Sequence, residues 1–361
     1  MSDAPSTRSV ADGKPVVLMI STGGGVSEAI LDCLAAYRDR LTIVGTTTDP
    51  TAIGASDCDV CVPVAPVTVE DEFIRDIGEV LQVFRPQIAF PCRDADLVGL
   101  ARLKTSRSEG AEALLVGSMA LATAMNDKLP MVAFARRCGL PFASTAHTEV
   151  EALDLVRRHG FPLIAKPRQG SGSKGVYVLL SDSHLESCLN RGGFVFQPYI
   201  DPPADLIERL PDTRLGLPFE QSGGLDRFVA IRGLSGRSGE LLNAIKVDVV
   251  NQFGRPFRLT RRPLDAVDSQ IAEAVAGTLF EEDYVGAFAL QGRVDRTGTL
   301  TYFEMLTRIG GGTAGFVPLG CNQPRLLVEM FAGIELPETT AQASVVEWRS
   351  VPRPRAERST T

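Results

Sequence analysis

The residues best suited to binding an anion lie in the segment FPLIAKPRQGSGSKGVYVLL, residues 161–180. An apolar run that ends at Lys166 and a second one over 176–180 are typical of buried strands. Glycine lets backbone N–H groups turn toward an anion, serine adds hydroxyl donors, and lysine adds charge. We therefore predict a β-hairpin whose loop binds a polyphosphate through these residues: Lys166, Gly170, Ser171, Gly172, Ser173, Lys174 and Gly175.

Two common phosphate-binding motifs do not describe this loop. A P-loop requires a helix directly after its lysine, whereas a β-rich run follows Lys174. The sequence GGGVSE at 23–28 does not match the GxGxxG of dinucleotide-binding folds, and no acidic residue stands where a ribose contact is expected. A tight strand-to-helix turn that lines a small-molecule pocket explains GGGVSE better. For the loop at 167–175, a flexible hairpin that binds nothing is the alternative.

A second group of candidate residues lies on a predicted hairpin, with strands over 287–295 and 300–308 joined by a turn at 295–298. Gln291 and Glu304 can meet across such a hairpin, as cross-strand neighbours do. A pair of oxygens suits Mg²⁺, which needs few protein ligands because phosphates and water supply the rest. Gln291 and Glu304 are therefore the predicted magnesium ligands.

Arg308 follows the same hairpin and offers a planar, permanently charged guanidinium. Such a group can hold a phosphoryl group during transfer, or an acyl phosphate. Backbone N–H groups for a substrate carboxylate are offered by the glycine run that comes next: Gly310, Gly311 and Gly312. We predict Arg308 and Lys174 as the catalytic residues. The alternative is a surface ion pair between Glu304 and Arg308 without a chemical role.

Composition limits the class of protein. The 361 residues are 44% hydrophobic and 22% charged, which is typical of a soluble globular chain long enough for two or three domains. A net charge of −7 without a basic stripe argues against nucleic acid as the main partner, and no apolar run is long enough for a membrane span. The polar N-terminus lacks a signal peptide, and the seven cysteines are scattered. We expect a cytoplasmic protein with reduced thiols.

Strand and helix patterns alternate over 14–122, which predicts a parallel sheet covered by helices on both faces. Ligands bind at the carboxyl ends of such strands, and Asp94 follows the strand that begins near Ile88. We expect Asp94 to cap the next helix, with catalysis as the alternative. Residues 1–13 and 341–361 are expected to be tails.

Four motifs together resemble those of the ATP-grasp enzymes of the carbamoyl-phosphate-synthetase-like type. They are, in chain order, the helix start Asn126-Asp127-Lys128, the glycine hairpin, the strand FVFQPYI at 194–200, and Glu304-Met305-Leu306-Thr307-Arg308 before the glycine run. The resemblance covers about residues 15–335. Leu306 stands where the family usually has asparagine, which removes one magnesium ligand and leaves open whether one or two ions bind.

The resemblance implies an α/β fold class, in which an N-terminal parallel-sheet domain over 14–122 precedes a two-lobed α+β ATP-grasp domain. The small lobe with the glycine hairpin would span 123–195, and the large lobe 196–340. The segment 201–225 is longer than the usual connection in this family, and long loops are often functional. We predict a mobile lid for it, over the acceptor or acid pocket.

The resemblance also implies an activity that depends on ATP and Mg²⁺. The implied contacts with the phosphates are Lys128 and Lys166. The implied contacts with the adenine are Gln197, Tyr199 and Ile200, and the implied contact with the ribose is Asp226. In such a ligase, the γ-phosphoryl group passes to a carboxylate, and an amine then attacks the acyl phosphate to form an amide. The protein supplies positioning and charge neutralisation.

The expected substrates are a small carboxylate and a small amine, on the scale of amino acids or other metabolites. The identity of both is open, and so is the formation of a homodimer. One alternative activity is that of a bicarbonate-phosphorylating relative of the carboxylase type. A second alternative is a nucleotide-binding regulatory protein without turnover, which the leucine at position 306 keeps open.

Overall fold

The computed structural model describes residues 13–49, 51, 56–202, 212–219, 226–252 and 255–348. Over these residues the chain forms one parallel sheet of four strands and two antiparallel sheets, of four and six strands. The parallel sheet comes first in the chain. The predicted α/β class, with a parallel N-terminal sheet followed by two α+β lobes, is therefore confirmed.

The N-terminal sheet holds β1 (Val16–Ile20), β2 (Thr42–Thr47), β3 (Val60–Pro63) and β4 (Ile88–Pro91), in the spatial order β3-β2-β1-β4. Its helices are α1 (Gly25–Leu34), α2 (Glu70–Phe84) and α3 (Leu97–Thr105). All of β1 is buried, and the consecutive residues Leu18 and Met19, which point to opposite faces of the sheet, belong to different core clusters. Both faces of the sheet are thus covered, as its continuous apolar strands predict.

The small lobe begins with α4 (Met119–Asn126), α5 (Lys128–Arg137) and α6 (Glu149–His159), the last with a capping box between Thr148 and Glu151. Its sheet holds β5 (Leu163–Pro167), β6 (Tyr177–Leu179), β7 (Phe194–Pro198) and β8 (Leu217–Pro218), in the order β7-β5-β6-β8. Helix α7 (Asp182–Arg191) connects β6 to β7. Ile164 lies opposite Val178 in an antiparallel pair, so the predicted glycine hairpin is confirmed.

The large sheet has the order β13-β12-β9-β10-β11-β14. Its strands are β9 (Asp226–Ser235), β10 (Leu241–Gln252), β11 (Arg255–Arg262), β12 (Gly286–Val294), β13 (Leu300–Leu306) and β14 (Val345–Glu347). Helix α8 (Ala266–Phe280) lies between β11 and β12 in the chain, and α9 (Gln323–Ala332) lies between β13 and β14. Among the described helices, none is long and apolar enough to cross a membrane. All seven cysteines are free thiols.

One hydrophobic core joins the N-terminal sheet to the large sheet. Phe73 and Leu100 of the N-terminal part belong to the same buried cluster as Phe288 and Tyr302 of the large sheet. Helix α9 packs against α1 and β4. Because the two parts share a core, loops from both can hold groups of a single site in fixed positions.

Two predicted boundaries are corrected by strand pairing. The division between the lobes after residue 195 falls inside β7, which pairs with β5 along its whole length from Phe194 to Pro198. The C-terminal tail does not begin at 341, because Val345–Glu347 pairs with β11. Trp348 packs against the core cluster of that part of the sheet. Residues 1–12 and 349–361 of the predicted tails lie outside the described residues.

The described part of the predicted lid, residues 212–219, belongs to the small sheet. Pro218 pairs with Tyr177 of β6, and the ring of Phe219 packs edge-on against that of Tyr199, with centroids 6.3 Å apart. For these residues the lid hypothesis is wrong, because backbone pairing fixes them at the edge of the sheet. Residues 203–211 and 220–225 lie outside the described residues.

Candidate active site

Lys166 lies at the end of β5, on the side of the small sheet that faces the hairpin of β12 and β13. Its Nζ is 4.5 Å from the centre of the Phe303 ring. Burial lowers the pKa of Lys166 to about 8, against the attraction of the Glu304 carboxylate, which favours the charged form. A lysine of the small sheet and a carboxylate of the large sheet are thus brought together.

Lys128 begins α5, where Asp127 caps the helix with its side chain. The Nζ of Lys128 donates to the Gly170 carbonyl at 3.0 Å, and its backbone N–H donates to the Arg168 carbonyl, also at 3.0 Å. Arg168 in turn forms an ion pair with Asp127. The helix start is therefore fastened to the glycine loop, and the charge of Lys128 contributes to the lowered pKa of Lys166.

The glycine loop has a backbone conformation that most residues avoid. Gly170, Gly172, Ser173 and Gly175 have φ values from +59° to +110°. Nothing lies within 4 Å of a Cβ built at Gly170 or Gly172, so the backbone conformation, and not crowding, is what favours glycine there. Lys174 is exposed on this loop and forms no ion pair with any described residue. Its predicted catalytic role gains no support from its position.

Gln291 and Glu304 lie directly opposite each other in the pairing of β12 with β13. Both are half-buried, and neither side chain has a hydrogen bond or ion pair with another described residue. Two adjacent, unused oxygen groups fit a Mg²⁺ ion that takes its other ligands from phosphates and water. Leu306 lies farther along β13, opposite Ala289, and supplies no third oxygen. The described residues contain no group of three or more acidic, histidine or cysteine side chains that could together hold a metal ion.

Arg308 is bound by Asp94, a contact that the sequence did not predict. Two N–H groups of Arg308 donate to the two carboxylate oxygens of Asp94, and Nη1 donates to the Ile309 carbonyl at 2.9 Å. The two side chains are only 7% and 12% exposed. The predicted helix cap is wrong, because no side chain caps the turn at 94–96 or α3 and the Asp94 carboxylate turns to the guanidinium instead. The N-terminal part thus orients the predicted catalytic arginine.

Asp226 is also occupied by an arginine. It forms a nearly buried ion pair with Arg293, whose Nη1 donates to the Arg227 carbonyl at 2.8 Å. The Arg293 guanidinium lies 4.8 Å from the centre of the Tyr199 ring. The ribose contact predicted for Asp226 is not supported, since this carboxylate is already neutralised.

The side of the small sheet that carries Lys166 has an apolar cluster next to the lysine. Its buried members are Ile164, Val178, Tyr199, Leu217 and Phe219. Gln197 of β7 donates from Nε2 to the Thr145 hydroxyl at 2.9 Å, while its buried Oε1 has no partner. Ile200 follows, partly exposed. Apolar side chains beside an unused acceptor suit a nucleobase that carries an amino group.

Two glycine runs meet next to a cavity of about 290 Å³, which is lined by residues 21–26 with Thr48, Cys92 and Arg93. A Cβ built at Gly311 would lie 3.6 Å from the Gly25 carbonyl oxygen. The run at 310–312 therefore borders the start of α1. The predicted pocket-lining turn at GGGVSE is confirmed, and Arg308 with its glycines approaches it from the large sheet.

Arg232 is a site residue that the sequence did not reveal. It lies in β9, is 8% exposed, and its guanidinium is 4.7 Å from the centre of the Phe316 ring. A Cβ built at Gly310 would lie 2.6 Å from Nη2 of Arg232, so glycine is what allows this approach. No sequence motif pointed to Arg232 or Arg293, because strand pairing and domain packing alone decide what their side chains contact.

No family model matches the sequence, and no curated protein matches it either. Solved structures do match the fold. An N5-carboxyaminoimidazole synthetase from Staphylococcus aureus in complex with ADP superposes with a TM-score of 0.65 at 12% identity, over 90% of this chain and 79% of that one. An L-amino acid ligase from Bacillus licheniformis gives 0.60 at 16% identity, over 88% and 74%.

A third similar structure is the biotin carboxylase domain of a 2-oxoglutarate carboxylase from Hydrogenobacter thermophilus. It was crystallised as a dimer with MgADP, ADP and bicarbonate. Its TM-score is 0.61 at 15% identity, over 90% of this chain and 71% of that one. These similarities confirm that the chain has the ATP-grasp fold that its motifs predict.

Proposed function

We propose that this protein is an ATP- and Mg²⁺-dependent ligase that joins a small carboxylate to a small amine through an acyl phosphate. One observation carries the proposal. Lys166 of the small sheet lies 4.5 Å from the centre of the Phe303 ring of the large sheet, next to Glu304 in the chain, and Glu304 lies opposite Gln291. Cations for phosphates and oxygens for a metal are thus assembled from three separate motifs.

In this proposal the nucleotide lies between the two sheets. Lys166 and Lys128 would neutralise its phosphates, and the glycine loop would close on them with backbone N–H groups. The base would lie against the apolar surface that includes Tyr199, with its amino group donating to the free Oε1 of Gln197. The ADP bound in the similar synthetase and carboxylase structures supports a nucleotide at this fold's cleft.

Gln291 and Glu304 would hold Mg²⁺, which when bound neutralises phosphate oxygens and withdraws charge from the transferring group. In the first step, an oxygen of the substrate carboxylate attacks the γ-phosphorus and ADP leaves. In the second step, the amine attacks the acyl carbon, phosphate leaves, and the amine loses a proton to solvent. Arg308 would hold the phosphoryl oxygens in both steps, since its guanidinium carries permanent charge.

A nucleotide-binding protein without turnover is a second candidate, and one observation favours it. The two N–H groups with which Arg308 would hold a phosphoryl group are occupied by Asp94. Leu306 also removes an oxygen ligand from β13. If Asp94 does not release the arginine, the protein would bind ATP and stop there. The bicarbonate in the similar carboxylase structure keeps bicarbonate among the acids to be tested.

The decisive experiment measures ADP formation with pairs of acids and amines, bicarbonate included, in the presence of Mg²⁺. We expect ADP only when both an acid and an amine are present. A protein that binds MgATP by calorimetry but forms no ADP with any pair would instead be a nucleotide-binding protein without turnover. Seven free thiols support a reducing compartment, and we propose that the protein acts in the cytoplasm.

A further inference from the structure

We propose that Arg232 binds a negatively charged group of a substrate, a carboxylate or a phosphate, that the reaction does not consume. The inference rests on the proposed function, because it places that substrate beside Arg308 and the glycine run at 310–312. It goes further by defining the substrate class. One of the two substrates carries an anionic group in addition to the group that reacts.

The first argument is the missing counter-ion. Four arginines of the described residues are nearly buried, and three of them have a carboxylate partner: Arg293 with Asp226, Arg308 with Asp94, and Arg325 with Glu329. Arg232 has none among the residues that the structure describes. Buried charges are normally paired, because removing a charge from water is costly. A ligand that supplies the missing negative charge would remove that cost.

The second argument is the set of unused donors. Nη1 of Arg232 donates to the Thr313 hydroxyl at a long 3.4 Å, and Nε is buried without any partner. The same hydroxyl donates to the Gly310 carbonyl at 2.7 Å, which fixes its lone pairs toward the arginine. The Phe316 ring lies against one side of the guanidinium, with its centre 4.7 Å away. Nε and Nη2 of Arg232 have no hydrogen-bond acceptor among the described residues.

The third argument is position. Nη2 lies against Gly310, and the charge of Arg308 contributes, after burial, to lowering the pKa of Arg232 to about 10. Two guanidinium groups therefore lie near one glycine run, but only that of Arg308 is neutralised. An anion between them would be attracted by both the free charge and the adjacent backbone N–H groups.

The reacting carboxylate cannot be the permanent partner of Arg232. Phosphorylation converts it into an acyl phosphate, and attack by the amine converts it into a neutral amide. A group that keeps its negative charge throughout would neutralise Arg232 in every state and would hold the substrate in register. A dicarboxylate, an α-amino acid or a phosphorylated metabolite meets this requirement.

The test compares Arg232→Met and Arg232→Lys with the wild type, using inorganic phosphate and succinate as separate probes. Arg237→Met is the matched control, because Arg237 also lies over a phenylalanine ring, at 4.9 Å from that of Phe331, but is exposed. We measure the thermal midpoint and the calorimetric affinity for each anion against chloride at equal ionic strength. A response to phosphate alone indicates a phosphorylated substrate, and one to succinate alone indicates a carboxylate.

We expect at least one anion to stabilise the wild type and Arg237→Met. The affinity of that anion for Arg232→Met should be lower by about tenfold or more, the scale of a charge-assisted hydrogen bond. Without an anion, Arg232→Met should be at least as stable as the wild type, because it removes an unpaired buried charge. If this variant does not fold, Arg232→Lys, which keeps the charge and loses the planar fork, should show the weakened response.

Two results would overturn the inference: no response of the wild type to either anion, or an undiminished response of the Arg232 variants. MgATP affinity is measured in parallel and should be unchanged in all variants. Normal MgATP binding without an anion response rejects the role of Arg232 alone. A wild type that fails to bind MgATP rejects the proposed ligase, whatever the anions do.

Discussion

Single residues of the cleft behave according to the charges that burial places around them. Lys166 has its ordinary pKa of 10.5 lowered to about 8, and Glu304 is the main group that limits this shift. The cost of burying the lysine is therefore only partly offset in the free protein. Phosphates of a bound nucleotide would complete that compensation, which makes Lys166 a sensitive reporter of binding.

This shift predicts a pH dependence of ATP binding. Above pH 8 the free protein holds Lys166 mostly neutral, while bound phosphates favour the charged form, so binding takes up a proton and weakens as pH rises. Calorimetric affinity for MgATP should fall between pH 8 and 9.5 by up to about tenfold per unit. Lys166→Arg, which stays charged, should show no such slope. Equal slopes in both proteins would contradict the assignment of Lys166.

The contribution of Lys166 to folding stability depends on pH in the opposite direction from ATP binding. Between the folded pKa of about 8 and the ordinary value of 10.5, the unfolded chain binds more protons at this lysine than the folded one. The contribution of Lys166 to the free energy of unfolding therefore rises with pH in this window.

Lys166→Ala should weaken ATP binding by roughly 1.5–3 kcal/mol, the range for charge-assisted hydrogen bonds.

Glu304→Gln tests the metal site at the same scale. Because the side chain is half-buried and has no hydrogen bond or ion pair with another described residue, the variant should fold with an unchanged thermal midpoint. Turnover should be abolished, since the amide cannot supply the negative oxygen that Mg²⁺ prefers. Ordinary activity of this variant at ordinary magnesium concentration would show that Glu304 is not the principal ligand.

At the scale of elements, β8 is the strand that the sequence analysis did not predict, because it lies in the segment expected to be a lid. Its turn contains Gly216, with φ +106°, where a Cβ would lie 2.6 Å from the Val178 carbonyl oxygen of β6. Backbone conformation and close packing against β6 both require glycine there. The turn and β8 thus behave as part of the small sheet.

Gly216→Ala should destabilise the protein by more than Gly139→Ala. Gly139 has φ +73° with nothing within 4 Å of a Cβ, so its substitution costs only the left-handed backbone, about 1–2 kcal/mol. Gly216→Ala adds a clash with a backbone carbonyl, which must separate β8 from β6. Urea denaturation measures both. Equal losses would indicate that the turn at 216 is not packed against β6.

At the scale of the whole molecule, the ion pair between Asp94 and Arg308 connects two parts that are distant in sequence. It links the end of β4 to the end of β13, above a core that the two parts share. A change at Asp94 is therefore expected to act on the phosphoryl-binding arginine. The N-terminal part both borders the cavity and positions Arg308.

A double-mutant cycle with Asp94→Asn and Arg308→Lys tests this coupling. Each single change should reduce kcat by about 10²-fold or more, the scale for losing one transition-state donor, with ATP affinity nearly unchanged. Removing one partner of a buried pair is also expected to cost about 3–5 kcal/mol of stability; these conservative changes keep hydrogen-bonding groups and should cost less. The double variant should lose less than the sum of both.

Independent effects on stability and on kcat would show that the contact does not position the arginine. If Arg308→Lys behaves like the wild type in every assay, and no acid and amine pair yields ADP, the protein is a nucleotide-binding protein without turnover and not a ligase. An Asp94→Asn variant with increased turnover would mean that the contact restrains Arg308 in the free protein instead of preparing it.

The sequence by itself determined the glycine hairpin, the opposition of Gln291 and Glu304, and the parallel N-terminal sheet. Each follows from local rules: strand periodicity, turn residues and the register of a short hairpin. The order of the motifs along the chain was enough to predict the ATP-grasp fold, because four separated signals in one order are far more specific than any of them alone.

Only the tertiary structure decided which charges meet. The partner of Arg308 lies 214 residues away in sequence, Asp226 is taken by Arg293, and Arg232 stands without a described counter-ion beside Gly310. No periodicity or spacing encodes such contacts, because they depend on how two sheets with a common core bring their loops together. The placement of β8 has the same cause, since the pairing of an edge strand is a long-range event.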